Sequence, residues 1–245
     1  YGGPDADDPD DRVLNTDLIG FLEGQVQSPF STPTAWLEVG HIDEVVSFVP
    51  CGTRFKIVIA DSQLAWQILQ SVPDPANTYI CPGKGLQNGI QWTLSVESIL
   101  TSAAWRRLNF KYDNGNPGYV PEKMIIVKNG LKAALGIDDG MFVAIPVLFQ
   151  TSGPVGGGRC YAHTGNMVNL LVVNGNIVVP KPFGPVVAGT DLFQQDAQTK
   201  LGTLGPSIQF LDTWSAYHIW FGEIHCGTAV LRTHPEDKKW WEVQP

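Results

Sequence analysis

Charge is scarce in this chain. Only 16% of its 245 residues are Asp, Glu, Lys or Arg, and the balance is acidic, a net -8 at pH 7. No basic cluster is longer than a pair such as Arg106-Arg107. No nucleic-acid partner is expected, because phosphate binding needs clustered Lys and Arg. An acidic protein can still attract a cationic substrate over distance. Long apolar runs are missing too, so no stretch is expected to span a membrane, and the first residues do not read as a signal peptide. Four cysteines (Cys51, Cys81, Cys160 and Cys226) show no CxxC spacing, which argues against zinc. A single disulfide among the first three is conceivable, and nothing in the sequence selects the pair. There is no N-x-[ST] sequon, and the redox compartment stays open. The Gly-rich "GPVGGGRCYAH" lacks the closing Gly-Lys-Ser/Thr of a phosphate cradle. The opening "YGGPDADDPDD" lacks the central Gly and final Glu of a calcium loop, so residues 1–16 read as an exposed acidic loop. It resembles a loop interior rather than a translation start, which suggests a processed piece of a longer precursor.

What is present is a hydrophobic content of 43%, enough for a sizeable core. Residues 17–27 have helical spacing. "AWLEVGHIDEVVSFVP" and "RFKIVIA" read as strand, turn, strand. "DSQLAWQILQSV" predicts a helix, with Asp61-Ser62 as cap candidates and Leu64, Ile68 and Leu69 on one face. Residues 73–95 read as an exposed loop, Val96 to about Phe110 as one helix, and Pro121–Leu135 as another stopped by Gly136. Met141–Gln150 predicts a buried strand. "MVNLLVVNGNIVVP" predicts a hairpin around Asn174-Gly175. A further helix over "DLFQQDAQTKLGTLG" and a strand at "IQFLD" complete the pattern. Two-strand-plus-helix modules repeat, no linker divides the chain, and one α/β domain over residues 1–245 is expected.

Two stretches can carry chemistry. In "EVGHIDEVVSF", His41 and Asp43 stand two apart in a strand-like context, so both are expected on one face. Spacing alone favours a polar surface strand there. In "YHIWFGEIHCGT", His225 precedes Cys226. Free cysteine is commonly just a buried small side chain, and a reactive thiolate needs a positive or imidazole neighbour. Strand alternation is expected to turn His225 away from Cys226, and Glu44 and Glu223 away from the chemistry.

"WLEVGHIDEVVSFVP", "NMVNLLVVNGNIVVPKPFGPVVAG", "YHIWFGEIHCGT" and "KKWWEVQP" together resemble the peptidylarginine deiminases, in that family's order and near its spacing, from about Leu18 to Pro245. The resemblance implies a pentein α/β-propeller, present here as its C-terminal modules. It implies Cys226 as nucleophile, His41 as general acid and base, and Asp43 as the carboxylate that grips a guanidinium. Val39 matches a residue lining the substrate's aliphatic stem. Trp220-Phe221 replaces residues that are often basic or polar in vertebrate members, and Trp220 is expected at the cleft mouth. Asn166 and Asn169 are expected to bond backbone near the site, and His163, His218 and His234 to serve ordinary structural roles.

The implied reaction is hydrolysis of protein or peptide arginine to citrulline through a covalent thiouronium. The family's second guanidinium-binding aspartate and an arginine that grips the substrate backbone precede the His-x-Asp stretch and are not in this sequence. An N-terminal fragment of the same precursor is therefore an expected partner. Calcium is implied for the whole enzyme, with ligands mainly outside this chain. Competing readings are a deiminase of free arginine or another small guanidine, a non-catalytic subunit, and a cysteine protease. The compartment is open, with a lean toward secretion from the low lysine and abundant Trp.

Overall fold

The computed structural model describes residues 1–4, 14–25 and 29–231. Its framework is two three-stranded sheets whose strands are here β1 (Val46–Cys51), β2 (Arg54–Asp61) and β3 (Phe142–Pro146), then β4 (Leu171–Val173), β5 (Asn176–Pro180) and β6 (Ser207–Leu211). In each sheet the first two strands form an antiparallel hairpin and the third pairs parallel with the second. Ile57, Val58, Ile59 and Ala60 of β2 are all buried, as a central strand covered on both faces requires. Asn174 and Gly175 join β4 to β5 with φ of 48° and 74°. Positive φ at both positions is what a type I′ hairpin turn demands.

Each sheet has a helix between its second and third strands. After β2 comes Ser62–Gln70, whose first turn is capped by the Asp61 carboxylate accepting from Leu64 N at 2.9 Å. Ala65, Trp66 and Leu69 form its buried face. After β5 comes Leu192–Leu201, capped by Asp191 and burying Phe193, Ala197 and Leu201 at four-residue steps. The first connection is longer and also holds the helix Tyr119–Leu135, which buries Val120, Met124, Val127 and Leu131. That helix stops where Gly136 turns left-handed, at φ 63°. One apolar core spans both sheets and these helices. A second, aromatic cluster of Cys81, Trp92, Tyr161 and Trp214 lies beside it. The fold is mixed α/β with small sheets.

Several expectations need correction. The strand expected through "EVGHIDEVV" begins only at Val46, and Ile42–Glu44 is a single 3-10 turn. The N-terminal helix ends at Glu23, where Gly24 caps it. Residues 73–95 are no exposed loop: Ile80, Cys81 and Trp92 have no exposed surface, and two short strand pairs run through the segment. The helix expected over 96–110 is two, Val96–Leu100 and Ala103–Asn109, because Ser102 caps a new start. The strand expected over 141–150 breaks after Pro146, and Phe149–Thr151 pairs instead with Cys160–Ala162. The acidic loop reading fails at its start, since Gly2–Gly3 pairs in parallel with Thr32–Pro33. All four cysteines are free, so no disulfide forms. His234, "KKWWEVQP" and most of the acidic run lie outside the described residues.

Candidate active site

Three tight turns meet at one point, and each is closed by a backbone bond between residues three apart. Glu44 N donates to His41 O (3.3 Å), Asn169 N to Asn166 O (3.1 Å), and Thr228 N to His225 O (3.1 Å). The first turn precedes β1 and the second precedes β4. The third follows the 3-10 helix His218–Trp220. In the first, the Glu44 carboxylate also folds back to accept from His41 N at 2.7 Å. A strand is not needed to bring His41 and Asp43 together; the turn does so.

One polar side-chain atom each from His41, Asp43 and Cys226 lies within 4.8 Å of the others. Cys226 Sγ is 3.6 Å from Asp43 Oδ2. The same oxygen meets His225 Nδ1 at 2.6 Å. His225 thus reaches the site beside Cys226, contrary to strand alternation, because both stand on a turn. Asp43 Oδ1 is buried and has no hydrogen-bond partner among the described residues.

Asn169 joins the turns. Its Nδ2 donates to Cys226 Sγ (3.0 Å) and to Asp43 O (3.3 Å), and its Oδ1 accepts from Cys226 N (3.2 Å). Asn166 acts one layer deeper: Nδ2 donates to Glu44 O at 2.7 Å, and its backbone N donates to Glu223 Oε1 at 2.9 Å. Glu223 also accepts from Thr213 Oγ1 (2.5 Å) and pairs with His218 Nδ1 (2.7 Å). His218 rests on the aromatic cluster, with ring centres 4.4 Å from Trp214 and 4.9 Å from Trp92. Both asparagines bond backbone near the site, as expected. The contact of Asn169 with the thiol itself was not expected, and the "NMVN" pair ahead of an apolar run was its only sequence trace.

Val39 is half-buried immediately before Gly40, and Trp220 is 67% exposed at the end of its short helix. A groove of about 270 Å³ runs beside Asp43 and His225, walled by Ile42, Val46, Leu170 and Val230. Partial burial of the sulfur holds the Cys226 thiol above its ordinary value, and the Asp43 and Glu44 charges add to this. Hydrogen bonds at Asn169 and the Glu223 backbone act in the opposite sense. His41, Asp43 and Cys226 could jointly hold a metal ion, but an imidazole, a thiol and one carboxylate do not suit calcium, which takes a shell of oxygens.

The chain matches the family model for protein-arginine deiminase over residues 3–242. It is 32% identical over 238 residues to protein-arginine deiminase type-4 of Mus musculus, covering 96% of this chain and 34% of that protein. Type-4 of Homo sapiens is 31% identical over 239 residues, with 96% and 34% covered. Type-1 of Mus musculus is 31% identical over 240 residues, with 97% and 34% covered. The chain spans about a third of the length of these curated relatives. A match of this extent, on a fold that gathers the His-x-Asp turn and the His-Cys turn at one point, places the chain in the protein-arginine deiminase family.

Proposed function

We propose that this chain carries the thiol side of a site that hydrolyses arginine in proteins or peptides to citrulline. The observation that supports it most is the convergence of the His41/Asp43 turn with Cys226, which lies 183 residues after Asp43. A guanidinium is always charged and rich in N–H donors, and a carboxylate such as Asp43 holds it by charge-assisted bonds. Burial is the main cause of the raised Cys226 thiol, and a bound cation offsets the part that the Asp43 and Glu44 charges add, so substrate itself favours the thiolate. The Cys226 sulfur then attacks the guanidinium carbon, forming a C–S bond. His41 gives its proton to the departing nitrogen as the C–N bond breaks and ammonia leaves. His41 next takes a proton from water, whose oxygen adds to the same carbon. The C–S bond breaks as the thiolate is released, the remaining proton on the added oxygen passes to solvent, and a neutral citrulline remains. Val39 would flank the substrate's stem and Trp220 the mouth.

A second aspartate, completing the guanidinium grip, is proposed to come from sequence outside this chain, carried by the same precursor. The two hairpin–helix–strand units of identical connectivity are consistent with the repeated modules of a pentein propeller. Calcium, if it serves the whole protein, would take its ligands elsewhere.

The test is citrulline and ammonia release by the full-length protein from a blocked arginine amide and from free arginine, with calcium or with a chelator. Turnover of the blocked substrate that disappears in Cys226→Ala is expected, with a rate loss of about a thousandfold or more. Equal rates in wild type and Cys226→Ala would refute the proposal. Preference for free arginine would move the substrate to a small guanidine.

A further inference from the structure

Asp43 offers the cleft less than a free carboxylate would. Its Oδ1 is buried, and its side chain is only 16% exposed. Its accessible oxygen, Oδ2, is already engaged by His225 Nδ1 at 2.6 Å. With Oδ1 buried, a guanidinium can grip Asp43 only through Oδ2, by a charge-assisted N–H···O bond. In this arrangement His225 already holds that oxygen.

The backbone under His225 is pinned. Its N donates to Asn169 O at 3.3 Å, and its O accepts from both Thr228 N and Thr228 Oγ1 at 3.1 Å. Its side chain is 50% exposed. The imidazole can therefore leave Asp43 by rotating toward solvent while the turn that carries Cys226 stays put. Exposed side chains make such rotations readily.

We propose that His225 is a latch on Asp43, occupying the substrate's seat until a cation displaces it. The inference rests on the deiminase reading of the site. It assigns His225 a positioning role that acts through Asp43. Ionised donors bind a carboxylate more strongly than neutral ones, so a guanidinium competes with the imidazole better than the neutral ureido group of the product. The latch thus weakens substrate binding somewhat and helps to clear product.

The test compares the full-length protein with His225→Phe, which keeps a ring but loses the N–H, and His225→Asn, which keeps a donor. His225→Ala serves if the Phe variant does not fold. Three measurements are made: steady-state kinetics (KM and kcat) with a blocked arginine amide, inhibition by blocked citrulline, and alkylation rates of Cys226. The alkylating probes are chloroacetamidine, a planar cation, and iodoacetamide, which is neutral. Loss of the latch should lower KM and speed chloroacetamidine labelling by about tenfold, the scale of one hydrogen bond to a charged group. Citrulline inhibition should strengthen, iodoacetamide labelling should stay within about twofold of wild type, and His225→Asn should resemble wild type. A raised KM, or unchanged chloroacetamidine labelling, would overturn the latch and make His225 a support of the working site or a bystander. Alkylation needs no turnover. A wild-type protein that releases no citrulline would therefore sink the deiminase reading while the latch is still judged.

Discussion

At the scale of single residues, Asp43 acts on Cys226 through charge as well as position. The thiol is held above its ordinary value first by burial and then by the carboxylates of Asp43 and Glu44. The thiolate is the reactive form, and a nearby negative charge disfavours it. Asp43→Asn removes that charge, so the pH profile of iodoacetamide labelling should move to lower pH, while labelling by chloroacetamidine collapses. A profile that does not move would mean that burial alone sets the thiol. Little of this was legible in the sequence. Family motifs singled out His41, Asp43 and Cys226, but the contact of Asn169 with the sulfur joins residues 57 apart in sequence, and that of His225 with Asp43 residues 182 apart. No local pattern encodes either.

At the scale of elements, local chemistry was readable where one residue decides the outcome. Asp61 capped its helix, Asn174-Gly175 made its hairpin, and Gly136 stopped the helix Tyr119–Leu135. The last gives a clean measurement. A Cβ on Gly136 would meet nothing within 4 Å, so Gly136→Ala should cost only the left-handed backbone term. That is about 1–2 kcal/mol, to be read from urea denaturation midpoints, with Gly136→Asn losing less. A loss well above this would mean that the position also packs. The element that carries His41 and Asp43 was misread for a physical reason. Alternation of apolar and polar residues suits a strand, but Gly40 at φ 89° and the Glu44 carboxylate bound to His41 N close a turn instead. Ser102 divided a continuous helical pattern in a similar way, by offering its hydroxyl to Trp105 N.

At the scale of the whole molecule, buried polar groups hold the parts together. His163 Nε2 bonds Trp92 O at 2.8 Å, Nδ1 meets Gln150 Oε1 at 2.6 Å, and its backbone N donates to Leu148 O. Complete burial pushes this imidazole down to about 3 from an ordinary 6.5. Its folded form therefore stays neutral where an unfolded chain takes up a proton. Its contribution is full above pH 6.5 and is lost as pH falls from there toward 3. His163→Gln should be less stable than wild type at pH 7, and the gap should narrow by a few kcal/mol in urea midpoints taken down to pH 4. A constant gap would mean that the ring acts by packing alone. The two sheets share one connectivity, and the resemblance extends to what precedes them: the turn His41–Glu44 leads into β1 as Asn166–Asn169 leads into β4, each tied by the same kind of backbone bond. Two units of one design thus present different side chains at equivalent positions. One presents an imidazole and a carboxylate at the shared position, and the other an amide, Asn169, that bonds both the sulfur and the backbone of Cys226 on the third turn.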